Sequence, residues 1–416
     1  MFEIKLLTRN LAIVLCSFSG LIANIGLGYS EKNSSFSVDF QSNLAIAQTE
    51  TTKPLAIPSS DRLLPPSDIE RKLSPLEKKR IRTEIEALEI EADALLAQDK
   101  QEQAFQLWFR QLRLYRAIDL LEEITALGNI GEIAWQANRK QELKVVTQRL
   151  NEIYLEQKTA DSLTTELLTT LGLSYQQVRH LDRAIALYKT LLDRSRQADD
   201  IQLEKKYLES LGELYLDKFD YAQAAIVYEE LIAPDYDDVT EVNQENYLLQ
   251  LIEIYDYIKE PEKAIRVKTE LIDYYLAQNN TEPIGDLLVT LGKDYQTLDE
   301  INFAIATYQK AITLGQQLQQ LALVSDALAK LGNLYRKQQQ YSLAIQTYDK
   351  LLDVEMQAYN SYGVMNSYDR LGQIYFILED YERALGAFTE ALEIAKTLDY
   401  RVSYFTDLIS KVKAKD

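Results

Sequence analysis

Residues 331–348 read LGNLYRKQQQYSLAIQTY, and this stretch decides the fold. Its fixed points are Leu-Gly-x-x-Tyr, an Ala nine residues after the Tyr, and an aromatic residue four positions later. A fixed period of this size predicts a stack of equal helical units, each burying its apolar face against its neighbours. The motif recurs at intervals of 40 residues, in copies that begin at Leu171, Leu211, Leu291, Leu331 and Leu371.

The small residues of the motif have a steric explanation. Gly172 and Ala184 are expected where the two helices of one unit approach most closely, because a larger side chain there forces the helices apart at a cost of roughly 1–3 kcal/mol. One copy departs from the rule. It begins at Leu251 and has Ile252 in place of the Gly and Lys268 in place of the aromatic residue.

The repeat organises the chain into five regions. A stretch that holds five of the eight prolines is predicted to be an extended spacer, because proline lacks an amide donor and disrupts helices. An atypical helical pair precedes the repeats, and a last helix covers the end of the stack. The regions are an export signal or membrane anchor (1–47), the proline-rich spacer (48–75), the atypical pair (76–123), seven repeats (124–403) and a capping helix (404–416).

The first region has the features of an export signal. Lys5 and Arg9 give a positive start, residues 11–29 are mostly apolar, and residues 45–47 form a small-x-small cleavage site. The apolar stretch is long for a signal core, so an uncleaved membrane anchor is the alternative. The expected location is therefore the periplasm, or the thylakoid lumen in a photosynthetic source.

Composition excludes several classes of protein. The net charge of −19 argues against a nucleic-acid binder and against adsorption to anionic lipid. With one Cys and one His the chain cannot form an intrachain disulfide or a Cys/His zinc site. A His-dependent catalytic pair would require His180, which is expected to be a solvated residue in a turn. We find no phosphate-binding glycine loop, so the chain is expected to be neither an enzyme nor a cofactor-binding protein.

The motif resembles the tetratricopeptide repeat (TPR). The matching positions include Leu331, Gly332, Tyr335, Ala344 and Tyr348. The family's terminal Pro is missing and the period is 40 instead of 34, which resembles the subclass with lengthened helices. The resemblance implies an all-α fold, a TPR α-solenoid in which antiparallel helix pairs form a right-handed superhelix. Together with the signal and the spacer, it is similar to exported TPR proteins of photosynthetic bacteria.

In TPR proteins the first helices of successive units line a concave groove that holds a partner peptide. By that resemblance, a basic set near the C-terminus is similar to carboxylate-binding TPR domains, because Arg holds a carboxylate with two parallel hydrogen bonds. The alternative is ordinary surface charge, with Asp369 paired to Lys330 or Lys337. The groove positions here are Lys330, Asn333, Arg336, Lys337, Asn366, Asp369, Arg370 and Gln373.

The middle of the same groove is expected to be acidic. Its carboxylates are suited to a basic segment of a partner or, more weakly, to a divalent cation, and the alternative is a solvated acidic surface. The acids that follow Pro234 lack the glycine and the spacing of a calcium loop. The acidic positions are Glu209, Glu213, Asp217, Glu253 and Asp256.

These patterns predict a scaffold or assembly factor that acts outside the cytoplasm and binds other proteins or extended peptides, including partners in a membrane complex. The alternative function is a metal-handling carrier that holds manganese or calcium on the acidic positions. The sequence does not specify the partner or the oligomeric state.

Overall fold

The computed structural model describes Leu55, residues 63–64, 72–233 and 241–415. Within these residues the chain forms seventeen helices and no strand. All of them belong to one compact unit, Leu55–Asp416, while the unit Met1–Pro54, with the predicted signal, lies outside the described residues. The helices are α1 (Pro75–Ala97), α2 (Gln101–Ile118), α3 (Leu120–Gln136), α4 (Lys140–Thr159), α5 (Thr165–Gln177), α6 (Leu181–Gln197), α7 (Ile201–Asp217), α8 (Tyr221–Leu231), α9 (Glu241–Ile258), α10 (Pro261–Ala277), α11 (Ile284–Thr297), α12 (Ile301–Gln317), α13 (Leu321–Lys337), α14 (Tyr341–Gln357), α15 (Ser361–Ile377), α16 (Tyr381–Leu398) and α17 (Val402–Lys413).

The described helices form eight consecutive antiparallel pairs, α1–α2 to α15–α16, and α17 packs on α16. Turns of two or three residues join the helices of a pair, which makes the paired helices antiparallel neighbours. Each turn contains a residue in the left-handed region, and none of these residues is glycine. In the pairs from α5 to α16 they recur every 40 residues, at Arg179, Phe219, Lys259, Asp299, Gln339 and Glu379.

Three helix starts differ from the boundaries that the sequence suggested. The predicted capping helix is α17, which begins at Val402, two residues before the predicted boundary at 404. Pro75, placed in the spacer, is the first residue of α1, because Ser74 caps this helix and exchanges hydrogen bonds with Glu77. The boundary at residue 124 falls inside α3, which begins at Leu120 because the Asp119 side chain accepts hydrogen bonds from the first turn. At α1 and α3 a side-chain cap therefore starts the helix before the boundary that the apolar pattern suggested.

The recurring glycine makes room for the recurring aromatic ring. A Cβ on Gly332 would lie 2.5 Å from the Tyr348 ring, and one on Gly372 would lie 2.6 Å from the Phe388 ring. Gly172, Gly212 and Gly292 face their own tyrosines in the same way, with distances between 2.6 and 3.1 Å. The glycine on the first helix and the ring on the second helix therefore form one packing unit.

The exceptional copy replaces both partners of this packing unit. Lys268, on α10, is only 1 % exposed, and its Nζ lies 2.8 Å from Asp256 Oδ1 and 2.6 Å from Asp294 Oδ2. Burial raises the pKa of the Asp294 carboxyl group, although the Lys268 ammonium acts in the opposite direction. Where the ring is absent, the glycine is also unnecessary, which agrees with Ile252 at that position.

Neighbouring pairs pack in two different ways. In the pairs from α5 onward, the second helix of one pair packs on the first helix of the next pair. At the α3–α5 junction the two first helices instead make the main contact. A Cβ on Gly128 would lie 3.0 Å from Ser174 Cα, and the Ser174 hydroxyl donates to the Ile124 carbonyl at 2.9 Å. This close backbone approach leaves α4 with little contact to α5.

A membrane-spanning helix would need a long apolar stretch, and none of the helices within the described residues has one.

Candidate functional site

The side chains of successive first helices touch one another directly. Thr169 Oγ1 on α5 lies 3.5 Å from the Tyr207 hydroxyl on α7. The Tyr247 hydroxyl on α9 donates to Glu209 on α7. Each of these two contacts connects residues 38 positions apart. Side chains of neighbouring first helices therefore meet, and we call the surface that they form the first-helix surface.

The basic positions on α13 and α15 converge around one buried tyrosine. The Tyr348 hydroxyl donates to Asn333 Oδ1 at 2.8 Å, and the Arg370 guanidinium lies over the Tyr348 ring, 5.6 Å from its centre. Arg336 Nη1 donates to Gln373 Oε1 at 3.0 Å. Burial raises the pKa of Tyr348, and the charges of Arg370 and Arg336 oppose that rise.

Three of these basic side chains have no acidic partner. In the part of the chain that the structure describes, no carboxylate lies within 4 Å of the cationic groups of Arg336, Lys337 or Arg370. Lys330 differs, because its Nζ lies 3.6 Å from Asp326 on the same helix. The first-helix surface therefore carries a cluster of cations on α13 and α15 that can accept an anionic ligand.

Asp369 does not pair with Lys330 or Lys337, so that part of the sequence interpretation is wrong. It is buried, and its carboxylate lies 2.8 Å from Arg401 Nη2 and accepts a hydrogen bond from the Tyr404 hydroxyl at 3.1 Å. Asp369 faces forward along the stack to α17, whereas the lysines belong to the preceding pair. Its role here is to fix the capping helix on α15.

Other contacts strengthen the same connection. Arg401 also donates to Asn366 Oδ1 at 3.2 Å, and Gln373 donates to Asp369 Oδ1 at 2.8 Å. The sequence interpretation missed Arg401 and Tyr404, which lie at the start of α17. The sequence signal that could have identified them is their position directly after the last repeat, where the first helix of a further repeat would begin.

Most of the predicted acidic positions are engaged by neighbouring side chains. Glu209 accepts from Tyr247, Asp217 pairs with Arg179, and Asp256 pairs with Lys268 at 2.8 Å. Tyr221 and Tyr257 pack with their ring centres 4.2 Å apart and their planes tilted by 37°, in a small pocket that Glu253 also lines. The two remaining acids, Glu213 and Glu253, are both exposed.

Glu213 lies between two other acids of α7. Partial desolvation by the surrounding chain, together with the charges of Glu209 and Asp217, raises the pKa of its carboxyl group. A carboxylate in such surroundings gains from a nearby cation. The acidic part of the first-helix surface therefore favours a basic group at Glu213.

The acidic positions do not form a metal centre. Among the described residues, no three Asp, Glu, His or Cys side chains converge as metal ligands. The acids that follow Pro234 lie in residues 234–240, outside the described part of the chain. The metal-carrier interpretation thus has no support from the described residues.

The single histidine is not fully solvated, in contrast to the expectation from its turn position. His180 is the N-cap residue of α6, is half-buried, and packs edge-on against Tyr175 with the ring centres 5.6 Å apart. The turn places it over the aromatic residue of its own repeat, which explains the partial burial.

Comparison with solved structures gives neighbours of low similarity. BtubC (BKLC) from P. vanneervenii is 17 % identical with a TM-score of 0.38, over 53 % of this chain and 92 % of that one. A signal transduction ATPase with a tetratricopeptide repeat sensor from Pyrococcus horikoshii is 14 % identical with a TM-score of 0.41, over 74 % and 49 %. Aspartyl phosphate phosphatase F from Bacillus subtilis is 15 % identical with a TM-score of 0.41, over 69 % and 79 %.

Comparison with curated proteins finds no match. Models of the tetratricopeptide repeat match residues 169–238 and 323–397. Both matches cover helix pairs that carry the complete motif, with its glycine, alanine and aromatic residue. The recurring motif, the paired helices and these two matches show that the chain carries tetratricopeptide repeats and folds as an all-α TPR solenoid.

Proposed function

We propose that this chain is a non-enzymatic scaffold that binds an extended segment of a partner protein along the first-helix surface. The presence of TPR repeats supports a protein–protein interaction scaffold. On this proposal the cations of α13 and α15 hold a carboxylate of the partner, at an acidic side chain or a free C-terminus.

The observation that carries the proposal is the pair of half-buried guanidinium groups of Arg336 and Arg370 beside Tyr348, with no carboxylate on them in the described residues. A partly desolvated guanidinium gains from a carboxylate that it can hold with two parallel hydrogen bonds. The side-chain oxygen of Asn333 accepts a hydrogen bond from Tyr348, so on this proposal its amide N–H groups donate to the ligand. Lys337, exposed at the end of α13, adds a point charge.

The acidic part of the first-helix surface gives the bound segment a direction. Glu213, between Glu209 and Asp217, favours a cation, whereas Arg336 and Arg370 favour an anion. A partner segment with basic residues toward α7 and acidic residues toward α15 satisfies both ends. Complementary charges of this kind contribute mainly to specificity and to the association rate.

The proposal includes action outside the cytoplasm, with the partner in a membrane complex. It rests on the sequence of residues 1–47, which has a positive start, an apolar stretch and a small-x-small site. Cell fractionation and N-terminal sequencing of the native protein test this part. A mature chain that begins at Gln48 supports export with cleavage, an intact membrane-bound chain supports the anchor, and an intact soluble cytoplasmic chain contradicts both.

Photo-crosslinking tests the proposed surface. A photoreactive amino acid is placed at Lys337, on a first helix, or at the exposed Lys350, on a second helix, and products are identified by mass spectrometry. Crosslinks to the same partner from residue 337 but not from residue 350 support binding on the first-helix surface. Crosslinks from residue 350 alone contradict it.

The captured partner segment is then synthesised with its carboxylates free or amidated, and its affinity is measured. The Arg336→Gln/Arg370→Gln variant should weaken binding of the free-acid peptide by about tenfold or more, since each tenfold corresponds to about 1.4 kcal/mol. A control variant with the same charge change, Lys310→Gln/Lys350→Gln, removes two exposed lysines of the second helices α12 and α14. Equal affinities for the two variants, or for the free and amidated peptides, contradict carboxylate recognition.

A further inference from the structure

A cleft of about 820 Å³ lies at the edge of the stack, between α4 and the turn that joins α5 to α6. We call it the α4 cleft. Lys140, Leu143 and Lys144 line one wall, and Val178 and Leu181 line the opposite wall. Its volume lies within the range of pockets that hold drug-sized ligands, which is enough for a few residues of an extended peptide.

The cleft follows from the unusual junction between α3 and α5. Gly128 and Gly131 let α3 approach α5 so closely that an added Cβ on either would overlap Ser174 or Val178. The first helices therefore carry the junction, and α4 is left with little contact to α5. At the later junctions the second helix of one pair packs against the next pair, whereas here the space between α4 and the next pair stays open.

The charge of the cleft is opposite to that of the chain. Its lining contains four basic side chains other than histidine and one acid, Asp182, whereas the whole chain carries a net charge of −19. Two of the basic side chains are already paired, Lys218 with Asp182 at 2.5 Å and Arg179 with a carboxylate of α7 at 2.6 Å. Among the described residues no carboxylate lies within 4 Å of Lys140 or Lys144.

The two unpaired lysines lie one helical turn apart on α4. Like charges at this spacing destabilise a helix slightly, and an anion bound between them removes that repulsion. The first turns of α4 and α6 also border the cleft, and neither N-cap side chain, Arg139 or His180, caps its helix. Each of these first turns also contains an acid, Glu142 paired with Arg139 and Asp182 paired with Lys218, so the partial positive charge of the helix ends is a small addition to the charge of the lysines.

We propose that the α4 cleft binds an extended acidic segment of a partner protein. Alternate side chains of an extended peptide point in opposite directions, with about 6.6 Å between residues i and i+2. Two carboxylates at this spacing match Lys140 and Lys144, and the apolar residue between them faces Leu181 and Val178 on the opposite wall. This site is separate from the first-helix surface, so the proposal for the α4 cleft does not depend on the proposed function.

The test uses a fluorescent, N-acetylated and C-amidated peptide, Asp-Leu-Asp-Leu-Asp-Leu, and a second peptide with Asn in place of every Asp. Both are titrated into the full chain, and hydrogen exchange with and without peptide locates the site. The Lys140→Gln/Lys144→Gln variant changes two exposed side chains, so folding is preserved and is checked by circular dichroism. Lys206→Gln/Lys350→Gln is the matched control.

The proposal predicts saturable binding of the Asp peptide that weakens with added salt. Lys140→Gln/Lys144→Gln should weaken it by about tenfold or more, since each tenfold is about 1.4 kcal/mol. The control should bind within about twofold of the original chain. Protection from exchange should appear at residues 140–151 and 178–182. Absence of saturable binding, an equal loss in the control or protection elsewhere would overturn it.

Two further measurements identify other occupants. If inorganic phosphate displaces the peptide at equal concentration, the site binds a phosphoryl anion and the peptide proposal is wrong. If analytical ultracentrifugation shows a dimer that Lys140→Gln/Lys144→Gln dissociates, the occupant is a second copy of this chain and the proposal is again wrong.

Discussion

Two glycine substitutions should have opposite effects on stability, although both glycines lie inside helices. Gly386, on α16, is exposed, and a Cβ there would meet nothing within 4 Å. Gly386→Ala should therefore stabilise the protein by about 1 kcal/mol through helix propensity alone. Gly332→Ala has the same gain, but its Cβ would lie 2.5 Å from Cε1 of Tyr348.

The ring cannot withdraw from this overlap. Tyr348 is fully buried and its hydroxyl is held by Asn333 at 2.8 Å. Overpacking of this kind costs roughly 1–3 kcal/mol. The propensity gain is common to both glycines, so the difference in stability between Gly332→Ala and Gly386→Ala should equal the overpacking cost.

Urea unfolding followed by circular dichroism measures the difference, and hydrogen exchange in α13 and α14 shows whether the loss is local, as expected for a stacked array. A third variant provides the control. With Tyr348→Leu in place, adding Gly332→Ala should no longer destabilise, because the ring that it would strike is gone. Equal stabilities of Gly332→Ala and Gly386→Ala, or a loss that persists with Tyr348→Leu, would refute the steric explanation.

The remaining predictions concern single side chains. The Tyr308 hydroxyl is buried and has no hydrogen-bond partner among the described residues, so Tyr308→Phe should be neutral or stabilising, while Tyr348→Phe should cost about 1 kcal/mol in urea unfolding. Lys268→Met leaves Asp294 without its buried partner and should cost about 3–5 kcal/mol near neutral pH. Burial raises the pKa of Asp294 above its ordinary 3.8, so above that pH the folded state binds more protons at this group than the unfolded state does. The loss of stability caused by Lys268→Met should therefore shrink as the pH falls toward 4. A pH series of melting temperatures measures this change. Glu379→Gly, at a φ of 60°, should raise the melting temperature through a gain of about 0.5–1 kcal/mol, and an unchanged value would show that the turn is not strained.

The sequence by itself determined the all-α solenoid and the packing inside each helix pair. The glycine and its aromatic partner lie 16 positions apart within one hairpin, so their contact follows from the short turn that joins two helices. The exception supports the same reasoning, since Ile252 and Lys268 replace both members together. Contacts of this local kind are fixed by the chain itself, whatever lies beside the hairpin.

Only the tertiary structure showed the contacts between neighbouring helix pairs. Asp369 pairs with Arg401 of the following helix, 32 positions ahead, and no repeat pattern predicts that choice among several nearby cations. The α4 cleft likewise exists because Gly128 lets α3 pack directly on α5. Neighbouring pairs meet as rigid bodies, and their junctions depend on the shapes and charges of two separate surfaces, which a periodic sequence does not specify.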